Sequence, residues 1–448
     1  ENATLGVEVQ IYVPSFNSRS IKVLSPQADH TPLAPRRAAL ASAVGNILEW
    51  YDFAVYAFFA ATMGRLFFPR SDEIDSLIIT FGVFAAGHLM RPIGGILFGH
   101  IGDRYGRRPV LVGSMVAMAL ATVAIGLLPT VQQIGPLAAA LLVFFRMLQG
   151  FSIGGEYTGS VCYCAECAAD GHRGLLCTAS ILGAGVGTLL GSAAANILFL
   201  VLPADAVDAW GWRIPFLAGG VVGIIGLYLR RNLAETRGGQ QDQKQAQLPI
   251  LDALTNHLPT VLRVVGLNLM HAVSFFMIFI FMKTYLSKFI GLTEASALTI
   301  STVGLIALLA VTAAAGALSD RNGRKRVLGA SAVAAIVFAL PLFILISSGN
   351  FWVALACQLA FALIVGAYSG TASSTMTEIV PGHLRVTCTS LGYNLSMALF
   401  GGSTPMITIL LIKETGSNVA PALYIIAAAA VSLAVLSLIP ETSRTRLN

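Results

Sequence analysis

Charge is what this chain has least of. Only 11% of its 448 residues are charged, against 56% that are hydrophobic, and the mean hydropathy is +0.76. A water-facing surface needs more charge than that, so a soluble globular fold is excluded. Cysteine is sparse as well, with six residues, of which Cys162, Cys164, Cys167 and Cys177 cluster. Cys164 and Cys167 have the spacing of a metal or redox pair, yet His172 is the single histidine near them. Small apolar packing residues are the simpler reading, and no metal is expected. A nucleotide site is missing too, since Gly154-Gly155 is not followed by the Lys-Ser/Thr ending of a phosphate loop. No signal peptide is visible in the polar segment 1–36, which reads as cytoplasmic.

What fills the chain instead is apolar sequence. Twelve runs, near 38–64, 77–101, 109–128, 136–165, 175–200, 213–230, 261–286, 296–318, 326–347, 351–377, 386–411 and 419–439, each reach about the 20 residues that cross roughly 30 Å of hydrocarbon. The Gly/Gln-rich segment 232–260 reads as a linker. The expectation is an all-α membrane protein with twelve transmembrane helices in two six-helix bundles, 37–231 and 261–440, and a short tail at 441–448.

The two halves are related in parallel order. Gly99-His-Ile-Gly-Asp-Arg-Tyr-Gly-Arg-Arg108 returns as Gly316-Ala-Leu-Ser-Asp-Arg-Asn-Gly-Arg-Lys325. Glu166 precedes Arg173 by seven residues, as Glu378 precedes Arg385, and Glu235-Thr236 recurs as Glu441-Thr442. Duplication in an apolar chain is the signature of a transporter that rocks one half against the other. The basic residues gather in the loops that carry these landmarks, which makes that face and both termini cytoplasmic. The net charge of +6 is the ordinary bias of such loops near anionic lipid and requires no nucleic acid. Acid and base share each repeated loop, which suits a cytoplasmic gate built from Asp103, Arg107 and Glu166 in one half and Asp320, Arg324 and Glu378 in the other. Solvated loop charges are the plainer alternative, since exposed pairs are worth about 0–1 kcal/mol.

Charges at bilayer depth cost about 2.5–3.5 kcal/mol and mark a pathway. Glu49, Asp52, His88, Arg91, Arg146 and Glu156 fall at or near that depth, all in the first half. The second half offers neutral groups there, among them Phe275, Tyr368, Tyr393 and Asn394. Proton coupling is therefore expected in the first half. Glu49 and Asp52 share one face of a helix, where two like charges favour holding a proton between them. Asp52 is favoured as the carrier, with Glu49 and Glu156 open. His88 titrates in a useful range or simply packs. Arg91 is the anchor for a solute carboxylate unless it is permanently paired with protein acids, and Arg146 leans toward coupling. Tyr51, Gln149, Tyr157, Phe275, Tyr368, Tyr393 and Asn394 complete the candidate substrate site, since aromatic faces attract quaternary ammonium groups. Most membrane aromatics only pack.

Gly102-Asp-Arg-Tyr-Gly-Arg-Arg108 and Arg146-Met-Leu-Gln-Gly150 resemble the two signature motifs of the major facilitator superfamily. Asn46-Ile-Leu-Glu-Trp-Tyr-Asp-Phe53, Arg91-Pro-Ile-Gly-Gly95, Gly154-Gly-Glu-Tyr157 and Tyr393-Asn394 with Gly401-Gly402 resemble its metabolite:proton symporter family. Within that family, Gly154-Gly-Glu-Tyr-Thr-Gly159 and Trp210-Gly-Trp-Arg-Ile-Pro-Phe216 are similar to the proline/betaine branch. Other branches carry α-ketoglutarate, citrate and shikimate. The resemblance implies import of a small zwitterionic or carboxylate-bearing solute with a proton, by alternating access, across a bacterial inner membrane. The expected partners are that solute, protons and the bilayer, with no cofactor, no nucleic acid and no obligate protein partner, the unit being a monomer rather than an enzyme. Proton-driven export and a non-transporting sensor are the competing readings.

Overall fold

The computed structural model describes residues 33–105, 107–231, 249–445 and 447, and side chains over 39–40, 42–98, 112–225, 250–445 and 447. Every regular element among the described residues is helical. In hydrocarbon the backbone has no water to bond, and a helix satisfies each peptide group within its own segment. Twelve rods result. The first half contains α1 (Leu33–Phe58, prolonged by Ala60–Phe67), α2 (Glu73–Tyr105), α3 (Arg107–Leu127), α4 (Leu137–Cys167), α5 (Arg173–Val201) and α6 (Arg213–Arg231). The second contains α7 (Leu258–Lys288), α8 (Glu294–Asn322), α9 (Arg324–Ile346), α10 (Phe351–Glu378), α11 (Gly382–Thr415) and α12 (Pro421–Ser437).

Three rods are irregular near mid-depth. α4 is interrupted between Ser152 and Glu156, α7 widens into a π-turn at Phe276–Phe281, and α11 does so at Met397–Gly401. Local departures of this kind mark functional positions more often than chance. Within the first half α1 packs along α5, and α2 along α4. A Cβ at Gly150 would collide with the Gly87 carbonyl, so the second contact is one of backbone on backbone.

The halves meet through α5 with α8 and α10, α2 with α11, α4 with α10 and α11, and α1 with α7. Gly402, just past the π-turn of α11, lies so close to His88 on α2 that any side chain there would strike the imidazole. Rings bridge α1, α2 and α7. Trp50 meets Phe275 edge-on at 5.4 Å, and Phe81 meets Phe281 at 5.5 Å. This aromatic column fills the space between the centre of the molecule and the face opposite the repeated loops.

Candidate functional site

The charged residues of α1 and α2 meet at the junction of the halves. Arg91 Nη2 lies 3.1 Å from Glu49 Oε1, and both side chains are no more than 3% exposed. Arg91 Nε also reaches Asn394 Oδ1 of α11 at 3.4 Å. Asn394 in turn donates to the Gly154 carbonyl, inside the break of α4, and to Ser390 Oγ. Gly154 lies against the backbone of Arg91 and Gly95, which is why α4 opens there without a side chain. Beside this group the rings of Tyr157 and Tyr393 stack at 4.4 Å, and the Tyr157 hydroxyl bonds Ser373 Oγ of α10 at 3.2 Å. The Tyr393 hydroxyl is buried without a hydrogen-bond partner among the described residues. A buried site with a guanidinium and an idle hydroxyl suits an anionic group on a solute.

A second chain of polar groups runs through the first half. Thr122 donates to Asp52 Oδ2 at 2.6 Å, and its hydroxyl also lies 2.9 Å from the Met118 carbonyl. Gln149 donates to the same hydroxyl at 2.7 Å and accepts from Arg146 Nη1 at 2.8 Å. The Arg146 guanidinium lies 4.2 Å from the Tyr56 ring centre and 4.6 Å from that of Phe53, so aromatic faces share its charge. Thr122 escaped the sequence reading. Its only signal was a hydroxyl, one of two with Ser114, in the apolar run of α3.

Except for Glu156, the other candidates lie apart from these two chains. Tyr51 donates to the Pro215 carbonyl of α6, and Tyr368 to the Leu267 carbonyl of α7; both bonds tie helices within one half. His88 donates from Nδ1 to the Phe84 carbonyl at 3.0 Å and sits among Phe53, Phe84 and Phe276. Phe275 packs on Trp50 and His271. Glu156 and Glu49 line one crevice of about 20 Å³, with Ser114 and Ser152, room for about one water.

On the face of the repeated loops, the second half grips the first. Asp320 accepts from the backbone of Gly174 and Leu175 at 2.8 and 2.9 Å, capping α5. Arg324 pairs with Asp320 at 2.8 Å and Glu378 at 3.0 Å, Arg173 with Glu378 at 3.5 Å, and Arg385 with Glu166 at 3.1 Å. The segment after α12 joins in. Thr442 donates to Glu378 at 2.6 Å, and Arg173 donates to the Thr445 carbonyl. Glu441 caps α9 by accepting from the backbone of Arg324 and Lys325 at 2.8 and 3.1 Å. Burial opposes its ionisation, but these N–H donors and Ser443 prevail and hold the carboxyl below its ordinary range. The side chains of Asp103 and Arg107 lie outside the described residues. The opposite face has its own ties between halves, absent from the sequence reading: Lys288 to Glu73 at 2.7 Å and Lys413 to Asp75 at 2.6 Å.

Two six-helix halves joined by ties on both faces, with buried charge at their junction, define a transporter rather than an enzyme. The comparisons make the class specific. The chain matches the Major Facilitator Superfamily over residues 42–405, and it belongs to that family. It is 34% identical to the glycine betaine/proline/ectoine/pipecolic acid transporter OusA of Dickeya dadantii over 92% of this chain and 84% of that one. Identity is also 34% with the proline/betaine transporter of Escherichia coli strain K12, over 92% and 85%, and with the ectoine/proline transporter ProP of Corynebacterium glutamicum, over 93% and 86%. Among solved structures, the proton:xylose symporter XylE bound to a bromodeoxyglucose superposes with a TM-score of 0.73 at 19% identity, covering 92% of this chain and 98% of that one. That likeness shows the fold.

Proposed function

We infer that this protein is a proton-coupled symporter that imports a zwitterionic osmolyte of the proline/betaine/ectoine kind across a bacterial inner membrane. The face of the repeated loops is cytoplasmic, because that face carries most of the Lys and Arg. A single chain is the working unit, and it needs the bilayer, the solute and protons but no cofactor. The relatives' names supply the solute class. The observation that carries the coupling scheme is the position of Arg91, held by Glu49 from its own half and by Asn394 from the other.

A solute carboxylate arriving at Arg91 displaces Glu49, and the idle hydroxyl of Tyr393 completes its shell. The freed Glu49 then has a like charge one helical turn away at Asp52. A proton taken up by Asp52 removes that repulsion, so solute and proton bind together. Asp52 suits the carrier role because Thr122 accommodates both states. Its hydroxyl donates to the carboxylate, or turns to the Met118 carbonyl and accepts from the acid. Asp320, Arg324, Glu378, Glu166 and Arg385 form the cytoplasmic gate.

Proteoliposomes with an inside-alkaline pH gradient test this reading, using labelled proline, betaine, ectoine and pipecolate. Gradient-driven accumulation of one of them is expected. Asp52→Asn should abolish accumulation yet keep counterflow, and Arg91→Gln should abolish both. Absence of accumulation for all four solutes, with the fold intact, overturns it.

A further inference from the structure

Asp252, His257 and His383 come together at the basic face. Asp252 lies on the short helix Pro249–Thr255 that follows the linker, His257 is the residue capping α7, and His383 lies in the first turn of α11. One ligand atom of each falls within 4.8 Å of the others, and the two imidazoles meet edge to face at 5.9 Å. We propose that these three residues form a divalent transition-metal site that pins the end of the linker to the start of α11.

The donor set selects the ion. Two imidazoles and one carboxylate suit zinc, cobalt or nickel, whereas magnesium and calcium prefer oxygen alone. Bonds of about 2.0–2.2 Å in a tetrahedral site place ligand atoms about 3.3–3.6 Å apart. Closing from 4.8 Å needs only side-chain rotation, because His383 is exposed and the other two are half-buried. One carboxylate oxygen of Asp252 accepts from Asn256 Nδ2 at 2.8 Å, which orients the group as metal-bound carboxylates commonly are. Water completes the shell from the open side.

The site is coupled to the gate through the chain. His383 is two residues before Arg385, whose ion pair with Glu166 ties the halves on this face. A bound ion therefore fixes the turn that carries the tie and slows opening of the cytoplasmic side. This consequence rests on the transport reading; the binding does not.

The test titrates the untagged full-length protein in detergent with Co²⁺, then Zn²⁺. One Co²⁺ per chain with the visible absorption of a low-coordinate site is expected, displaced by Zn²⁺. His383→Ala and His257→Gln should each weaken binding by about tenfold or more. In proteoliposomes Zn²⁺ should slow solute uptake by the natural chain and leave uptake by His383→Ala unchanged. Absence of one-to-one binding, or binding equally tight in both variants, overturns the site. Site-specific binding without any effect of Zn²⁺ on uptake overturns the clamp.

Discussion

Arg91 answers to both halves of the molecule, and its environment makes it the most sensitive single position. Both members of its pair with Glu49 are almost fully buried, so removing one leaves an uncompensated charge. Arg91→Gln should lower stability by about 3–5 kcal/mol, read as a fall in the thermal midpoint of the purified protein, in addition to losing solute binding. Thr122→Val is subtler. It keeps the shape of the side chain but removes the donor to Asp52, an unsatisfied acceptor worth about 1–3 kcal/mol. Gradient-driven uptake should fall well below that of the natural chain while solute affinity stays within a few-fold, measured by counterflow. Glu49, Asp52, Arg91 and Arg146 stood out in the sequence because charge at bilayer depth is conspicuous, while Gln149, read there as a substrate residue, links Arg146 to Thr122. Thr122 did not stand out, since a hydroxyl among apolar residues usually packs and only the fold shows what it faces.

At the scale of elements, the twelve rods were legible because hydrocarbon permits little but a helix. Their interruptions were less so. Gly154-Gly155 and Gly401-Gly402 mark two of the three breaks, but the π-turn at Phe276–Phe281 has no glycine and lies in an unbroken apolar run. The α2–α11 contact depends on Gly402, and Gly402→Val should collapse uptake by forcing His88 away, with helical content retained by circular dichroism. Glu441 offers a prediction in pH. Its carboxyl is held below the ordinary range when folded, so the stability it contributes is present in full above about pH 4.3, the ordinary value for glutamate. That contribution is lost as pH falls through the lower folded value. The thermal midpoint of Glu441→Gln should lie below that of the natural protein at neutral pH, and the gap should close on acidification.

At the scale of the whole molecule, both faces are tied at once, but unequally. Arg173 and Glu378, paired across the halves, are at most 5% exposed, whereas Lys413 and Asp75 are each more than 40% exposed. Exposed pairs contribute about 0–1 kcal/mol, and that much shifts a conformational equilibrium by no more than about fivefold. Lys413→Ala should therefore change uptake only a few-fold, while Glu378→Gln should reduce it by orders of magnitude in the same assay.

The division of buried charge between the halves also bears on how such a carrier changes its cargo over time. Acids and guanidinium groups at mid-depth belong to the first half, while the second meets the junction with amide and hydroxyl groups such as Asn394, Tyr393 and Ser373. Substitutions among those neutral residues reshape the chamber without touching the groups that hold protons. Descendants of one ancestor can thus diverge in diet while keeping the same engine.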